Sequence, residues 1–169
     1  MPVPLGFCVT TQAFRRFPEA LDDESFRKKL SESLNGLLQA EGIHRFAIVR
    51  SSANLEDSFQ AAFPGVFISS GPLNSLGSLI TALEQCFLAI QNDQVRKYCQ
   101  HKGIKAKSIR MSALVQQYIE PDYSGVAILQ MPQAKLRGAH VEMTRGASNK
   151  ILRGTENVMA FLVRKREPK

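Results

Sequence analysis

Residues Ile48–Gly65, IVRSSANLEDSFQAAFPG, are the stretch whose reading decides the fold. It opens on a short apolar strand, Phe46–Val49, and meets Arg50 and the serines Ser51 and Ser52. An acidic pair, Glu56-Asp57, follows, and the tight Phe63-Pro64-Gly65 turn closes it. An arginine at a strand end presents a planar fork of donors with a permanent positive charge, a match for phosphate oxygens. The small hydroxyls of Ser51 and Ser52 add donors and let backbone come close to a ligand. The same letters also fit a strand end running into a solvated loop, with Arg50 paired to Glu56 or Asp57 or those acids capping the next turn. No GxxxxGK[ST] phosphate loop occurs in the chain.

Working outward, Val3–Thr10 reads as a strand, and Thr10 or Thr11 caps a short helix that Pro18 stops or kinks. Asp22-Asp23 begin a helix over Asp23–Ala40, acidic where the helix dipole favours it. Phe26, Leu30, Leu34, Leu37 and Leu38 recur at helical spacing and define its buried stripe, and Gly42 ends it. Arg45–Arg50 is the strand that feeds the signature. After Val66-Phe67-Ile68 and a closing Ser69-Ser70-Gly71-Pro72, a helix spans Ser75–Ile90 and continues or restarts through Gln100. Its core stripe is Leu76, Leu79, Ile80, Leu83, Cys86, Phe87 and Ile90, with Gly103 as the outer limit. Then the period changes: Met111–Ile119, Gly125–Met131, Ala139–Thr144 and Val158–Arg164 read as strands.

These segments together closely resemble the ATP-binding domain of phosphoenolpyruvate synthase, pyruvate phosphate dikinase and rifampicin phosphotransferase. That pattern runs roughly VRSSA-x-x-ED-x(5)-F-[AP]-G, and Val49–Ala53, Glu56-Asp57 and Phe63–Gly65 match it without a gap. Val3–Thr11 resembles the family's VPxGFxVTT strand, and Leu83–Tyr98 its A-x-x-x-C helix. Val115–Ile119 with Ser124-Gly125-Val126 resembles VVQxMV…SGV. The resemblance implies an α+β fold: an ATP-grasp-like nucleotide-binding domain, incomplete at its N-terminal lobe. It spans residues 1–169 as one domain, with approximate lobes 1–110 and 111–169. It further implies that Arg50 binds nucleotide phosphates beside Ser51, Ser52 and Gly65. Gln116, Gln117, Tyr118 and Ile119 would border adenine, although a polar pair in an apolar strand also fits an exposed strand face.

Four departures bear on chemistry. In the family a GLGE glutamate holds the magnesium that bridges the phosphates, and Asn149 stands at that position here, beside Lys150. Asparagine offers one neutral carbonyl oxygen, a poorer ligand for a hard dication than a carboxylate. Val66-Phe67-Ile68 replaces a polar, phosphate-side loop. The lysine-bearing GGKG loop that precedes the VPxGF strand in the family is absent from this sequence, and the interval from that strand to Arg50 is shorter. The carrier-histidine context TxHxA is missing too, and His44, His101 and His140 read as solvated or capping residues. The expectation is the ATP-binding portion of a dikinase-type phosphotransferase, with ATP as ligand, no magnesium chemistry and no autonomous phosphoryl transfer. Its partners would be a nucleotide and a phosphohistidine-carrier domain or second protein. The alternative is a degenerate, non-catalytic copy kept for protein contacts.

Composition bounds the rest. At 169 residues, 44% hydrophobic and 22% charged, the chain can build one substantial core or two small lobes. No run approaches the roughly 20 apolar residues of a membrane span, and the N-terminus has no signal-peptide pattern. Cys8, Cys86 and Cys99 lack metal-ligand spacing and read as buried free thiols of a cytoplasmic protein. The net charge of +7 gathers in residues 135–169, where Lys135, Arg137, Arg145, Lys150, Arg153, Arg164, Lys165, Arg166 and Lys169 face Glu142, Glu156 and Glu167. With no tryptophan and 3 tyrosines, base stacking has little support, so nucleic acid is a minor reading.

Overall fold

The computed structural model describes residues 3–40, 46–54, 57–58, 61–62, 69–105, 108–128, 138–146 and 158–164. They belong to two compact units, Met1–Ile119 and Glu120–Lys169, where the sequence suggested lobes of 1–110 and 111–169.

The first unit runs β1 (Gly6–Val9), α1 (Thr11–Arg15), α2 (Glu19–Asp22), α3 (Glu24–Gln39) and β2 (Ala47–Ala53). A two-residue pair, β3 (Asp57–Ser58) and β4 (Ala61–Ala62), precedes β5 (Ser69–Leu73), α4 (Leu76–Leu88), a 3-10 turn at Ala89–Gln91, α5 (Asp93–Lys102) and β6 (Met111–Gln117). Four strands form an antiparallel sheet in the order β1-β6-β2-β5. Because β6 lies inside this sheet, paired to β1 and β2, Met111–Gln117 belongs with the first unit.

Helices form where local chemistry asks for them. The Asp23 side chain accepts the Phe26 N–H at 2.9 Å and caps α3, whose Leu30, Leu34 and Leu37 are buried. Ser75 caps α4 through a capping box with Ser78. Gly103, at φ 65°, closes α5 in a Schellman arrangement: Ile104 N–H reaches Cys99 C=O at 2.9 Å and Gly103 N–H reaches Gln100 C=O at 3.2 Å. The helix predicted over Ser75–Ile90 thus ends at Leu88 and restarts at Asp93. The core joins these stripes to Val49, Met111, Ala113 and Val115, with the Phe87 ring edge-on to Phe14 and Phe17 at centroid distances of 5.4 and 5.5 Å.

Two strands differ from expectation. β2 does not stop at Arg50 but continues to Ala53, since Ser51, Ser52 and Ala53 pair with Ala113, Ser112 and Met111. Ser69–Pro72, expected to close the preceding strand, instead lies in strand β5 (Ser69–Leu73), paired to β2 through Arg50↔Ser69, Val49↔Ser70 and Ala47↔Leu73. Pro72 is tolerated there because β5 is an edge strand among the described residues.

The second unit holds a three-stranded antiparallel meander, β7 (Tyr123–Ile128), β8 (Gly138–Arg145) and β9 (Met159–Arg164). The Ser124 hydroxyl donates to Gly146 C=O at 2.6 Å, and Gly146 N–H donates to Asp122 C=O at 2.8 Å, which ties the β7 start to the β8 end. Thr144 is buried, whereas Val126, Ile128, Met159, Phe161, Leu162 and Val163 are exposed. No helix among the described residues is long and apolar enough to cross a membrane.

A pH prediction follows from the α3 cap. The Phe26 N–H, reinforced by the Arg16 guanidinium at 3.1 Å, holds the Asp23 carboxyl below its usual range. A depressed folded-state pKa contributes stability that is complete above the unfolded value and fades as pH falls through the folded one. Asp23→Ala should therefore melt below wild type at neutral pH, with the gap closing in acid. A gap that stays constant between about pH 6 and about pH 2 would show that the cap carries no charge-dependent stability.

Candidate functional site

The pleat of β2 sorts the signature residues onto two faces. Ala47, Val49 and Ala53 are buried on the side where α1, α3 and α4 lie against the sheet. Arg50 and Ser52 are exposed on the other side, and Ile48 is half-buried there. Ser51 alternates with them and falls on the helix side, half-buried. Arg50 and Ser52 therefore share a face, and Ser51 does not join them. The predicted Ser51-Ser52 turn is instead continuous strand, because the β6 ladder engages its backbone.

Register shows what accompanies Arg50. On one side it sits opposite Leu114 of β6, and Leu114 in turn faces Cys8 of β1; on the other it faces Ser69 of β5. Ser52 is opposite Ser112, whose hydroxyl donates to Ser52 C=O at 3.2 Å. The next row joins Ile48, Gln116 and Gly6. This face thus carries a guanidinium, small hydroxyls and an amide around the apolar Leu114, which is 37% exposed. Among the described residues Arg50 makes no ion pair; Glu56 lies outside them, as does the side chain of Asp57.

The four residues expected near adenine separate. The Gln116 side chain shares the Arg50 face, half-buried. Gln117 points the other way, 7% exposed, and its Oε1 accepts the Leu5 N–H at 3.2 Å while its own N–H donates to Leu5 C=O at 2.9 Å. Its amide is employed in pinning the chain ahead of β1. Tyr118, half-buried, donates its N–H to Phe46 C=O at 2.8 Å, and Ile119 is 50% exposed. Gly65 and Asn149 lie outside the described residues, as do Gly42, His44 and Val66–Ile68. His101 lies in the last turn of α5, and His140 stands on β8 with Nδ1 3.8 Å from Glu142 Oε1. No group of three or more His, Cys, Asp or Glu suited to a metal occurs among the described residues.

Two residues that share the Arg50 face were not legible from spacing. Leu114 reads as an ordinary core residue of an apolar strand, and Cys8, expected to be buried, is exposed. Only the pairing of strands distant in sequence places Leu114 beside Arg50 and Cys8 one strand further on, opposite Leu114.

The face turned from the helices thus presents a strand-borne arginine with small hydroxyls beside it. Residues 23–169 match the family model "Pyruvate phosphate dikinase, AMP/ATP-binding domain", and the chain belongs to that family. It is similar to a rifampicin phosphotransferase of Streptomyces sviceus, 28% identical over 197 residues, covering 96% of this chain and 22% of that protein. A second rifampicin phosphotransferase, from Streptomyces sp, is 26% identical over 164 residues, 77% of this chain and 19% of that one. A phosphoenolpyruvate synthase of Neisseria meningitidis serogroup B is 29% identical over 151 residues, 87% of this chain and 18% of the relative. The chain thus spans at most 22% of the length of these relatives.

Proposed function

We propose that this chain is the ATP-binding portion of a dikinase-type phosphotransferase, ATP-grasp-like in fold, and that it performs no phosphoryl transfer by itself. The observation that carries the reading is Arg50: exposed, mid-strand, without an ion-pair partner among the described residues, and flanked by Ser52 and Leu114 on the face turned from the helices. In this role the guanidinium offers paired donors to phosphate oxygens, while Ser52 supplies a hydroxyl. Leu114 gives an apolar surface to a ribose or base, and Gln116 an amide edge. Positioning and charge stabilisation are the main protein contributions to phosphoryl transfer. In the sequence, Asn149 offers a neutral carbonyl oxygen beside a lysine, a set that does not fit magnesium. In a complete enzyme a phosphoryl group cleaved from the bound ATP would pass to a carrier histidine of another domain or protein, with the remaining nucleotide phosphate as the leaving group.

The test is thermal melting with nucleotide. ATP in excess over its Kd should raise the Tm, by an amount set by that excess. Arg50→Gln, at an exposed position, should keep the unliganded Tm while losing most of the shift. Absence of any shift at millimolar ATP, or an equal shift in Arg50→Gln, removes the nucleotide reading. A second reading, a protein-contact module, is favoured by the exposed Phe161, Met159 and Val163 on β9. It predicts no nucleotide shift and concentration-dependent association by light scattering.

A further inference from the structure

We propose that the groove between β1, α1 and α3 is a second binding site, on the helix side of the sheet, for a small organic anion with an apolar body. The groove encloses about 350 Å³, at the lower end for small-molecule pockets. Its floor is apolar: Val9, Ala13, Ala20 and Leu30 are buried, with Phe7 and Phe26 half-buried beside them. The rim is polar and basic, made by Thr10, Gln12, Arg16, Lys29 and Ser33.

The rim follows from helical spacing. Phe26, Lys29, Leu30 and Ser33 stand at i, i+3, i+4 and i+7 on α3, so one helix side carries two apolar groups, a cation and a hydroxyl toward the same groove. On α1, Ala13 lies on the floor and Arg16, just past the helix end, on the rim. Asp23 takes the Arg16 Nη2 at 3.1 Å through Oδ2, and its Oδ1 is engaged by Phe26 N–H. A guanidinium has five N–H donors, so that single contact leaves donor capacity on a side chain 63% exposed. Lys29 has no ion pair among the described residues. Two cations against one committed carboxylate, above an apolar floor, fit a ring or branched chain bearing one carboxylate or phosphate. Arg50 serves the opposite face, so this site stands independently of the nucleotide reading.

The experiment titrates the full chain with phenyl phosphate, 3-phenylpropionate and neutral 3-phenylpropanol, read by calorimetry and amide chemical shifts. Binding of either anion, at least about tenfold tighter than the alcohol, is expected. The anion that binds more tightly identifies the head group. Shifts should centre on Thr10, Ala13, Phe26 and Ser33. Lys29→Gln should weaken the anions about three- to tenfold, since a charge-assisted contact at a partly exposed rim is modest. Lys28→Gln, exposed on α3 but outside the groove, should leave affinity unchanged and so separates local contact from overall charge. No binding of either anion, equal binding of the alcohol, equal losses in Lys28→Gln and Lys29→Gln, or shifts centred on Arg50 would each overturn the proposal.

Discussion

Phe87→Ala is expected to cost about 3–5 kcal/mol of stability, the usual range for deleting a buried aromatic ring. Phe87 is 1% exposed and sits in the main core. Phe14 and Phe17 meet its ring edge-on, so the substitution removes two aromatic contacts as well as buried area. The resulting void would lie between the α1 segment and α4, both anchored by sheet contacts, which limits collapse. Urea unfolding followed by far-ultraviolet circular dichroism measures the loss. Leu88→Ala is the internal comparison: its neighbour along α4 is 42% exposed and should change stability by less than about 1 kcal/mol. Similar losses in the two variants would mean that the α4 stripe does not carry the core.

Gly6→Ala is the second large effect, expected at about 1–3 kcal/mol, as for other overpacked sites. The cause is position, not backbone angle. A Cβ at Gly6 would lie 2.6 Å from Val115 O and 2.9 Å from Gln116 Cβ, and one of these is backbone of the adjoining strand. The sheet can relieve this only by moving β1 away from β6, which weakens the Gly6–Val9 ladder and the Gln117–Leu5 bonds. Amide exchange should therefore quicken in β1 before it does in α4. The contrast is Gly77→Ala in α4, where nothing lies within 4 Å of the new methyl. Helix propensity there predicts a gain of about 0.5–1 kcal/mol. If both alanines proved neutral, the close approach at Gly6 would be wrong.

What was legible in the sequence was local. Asp23 as a cap, the Leu30-Leu34-Leu37 stripe and the Ser75 start of α4 follow from chemistry within a few residues of each other. Gly103 as a helix end belongs with them. What escaped depends on distant partners. Nothing near Ser51 says that β2 runs on to Ala53; Met111–Ala113 decides that. Nothing near Gly71-Pro72 favours a strand; the exposed edge of β2 does. At the candidate site, the motif pointed to Arg50, but its neighbours were set by register. Period-two alternation alone would have turned Ser51 away from Arg50 once the strand was known to continue, and likewise Gln117 from Gln116.

The placement of β6 has a temporal consequence. Among the described strands β1 pairs only with β6, yet more than 100 residues of chain separate Gly6 from its partner Gln116. A nascent chain leaving the ribosome would hold β1 without its β6 partner until Gln117 emerged, while α3 and α4 formed ahead of it. Closing so long a loop is the slow entropic step. Until then, the apolar side of Phe7 and Val9 would be open to chaperones or to wrong partners.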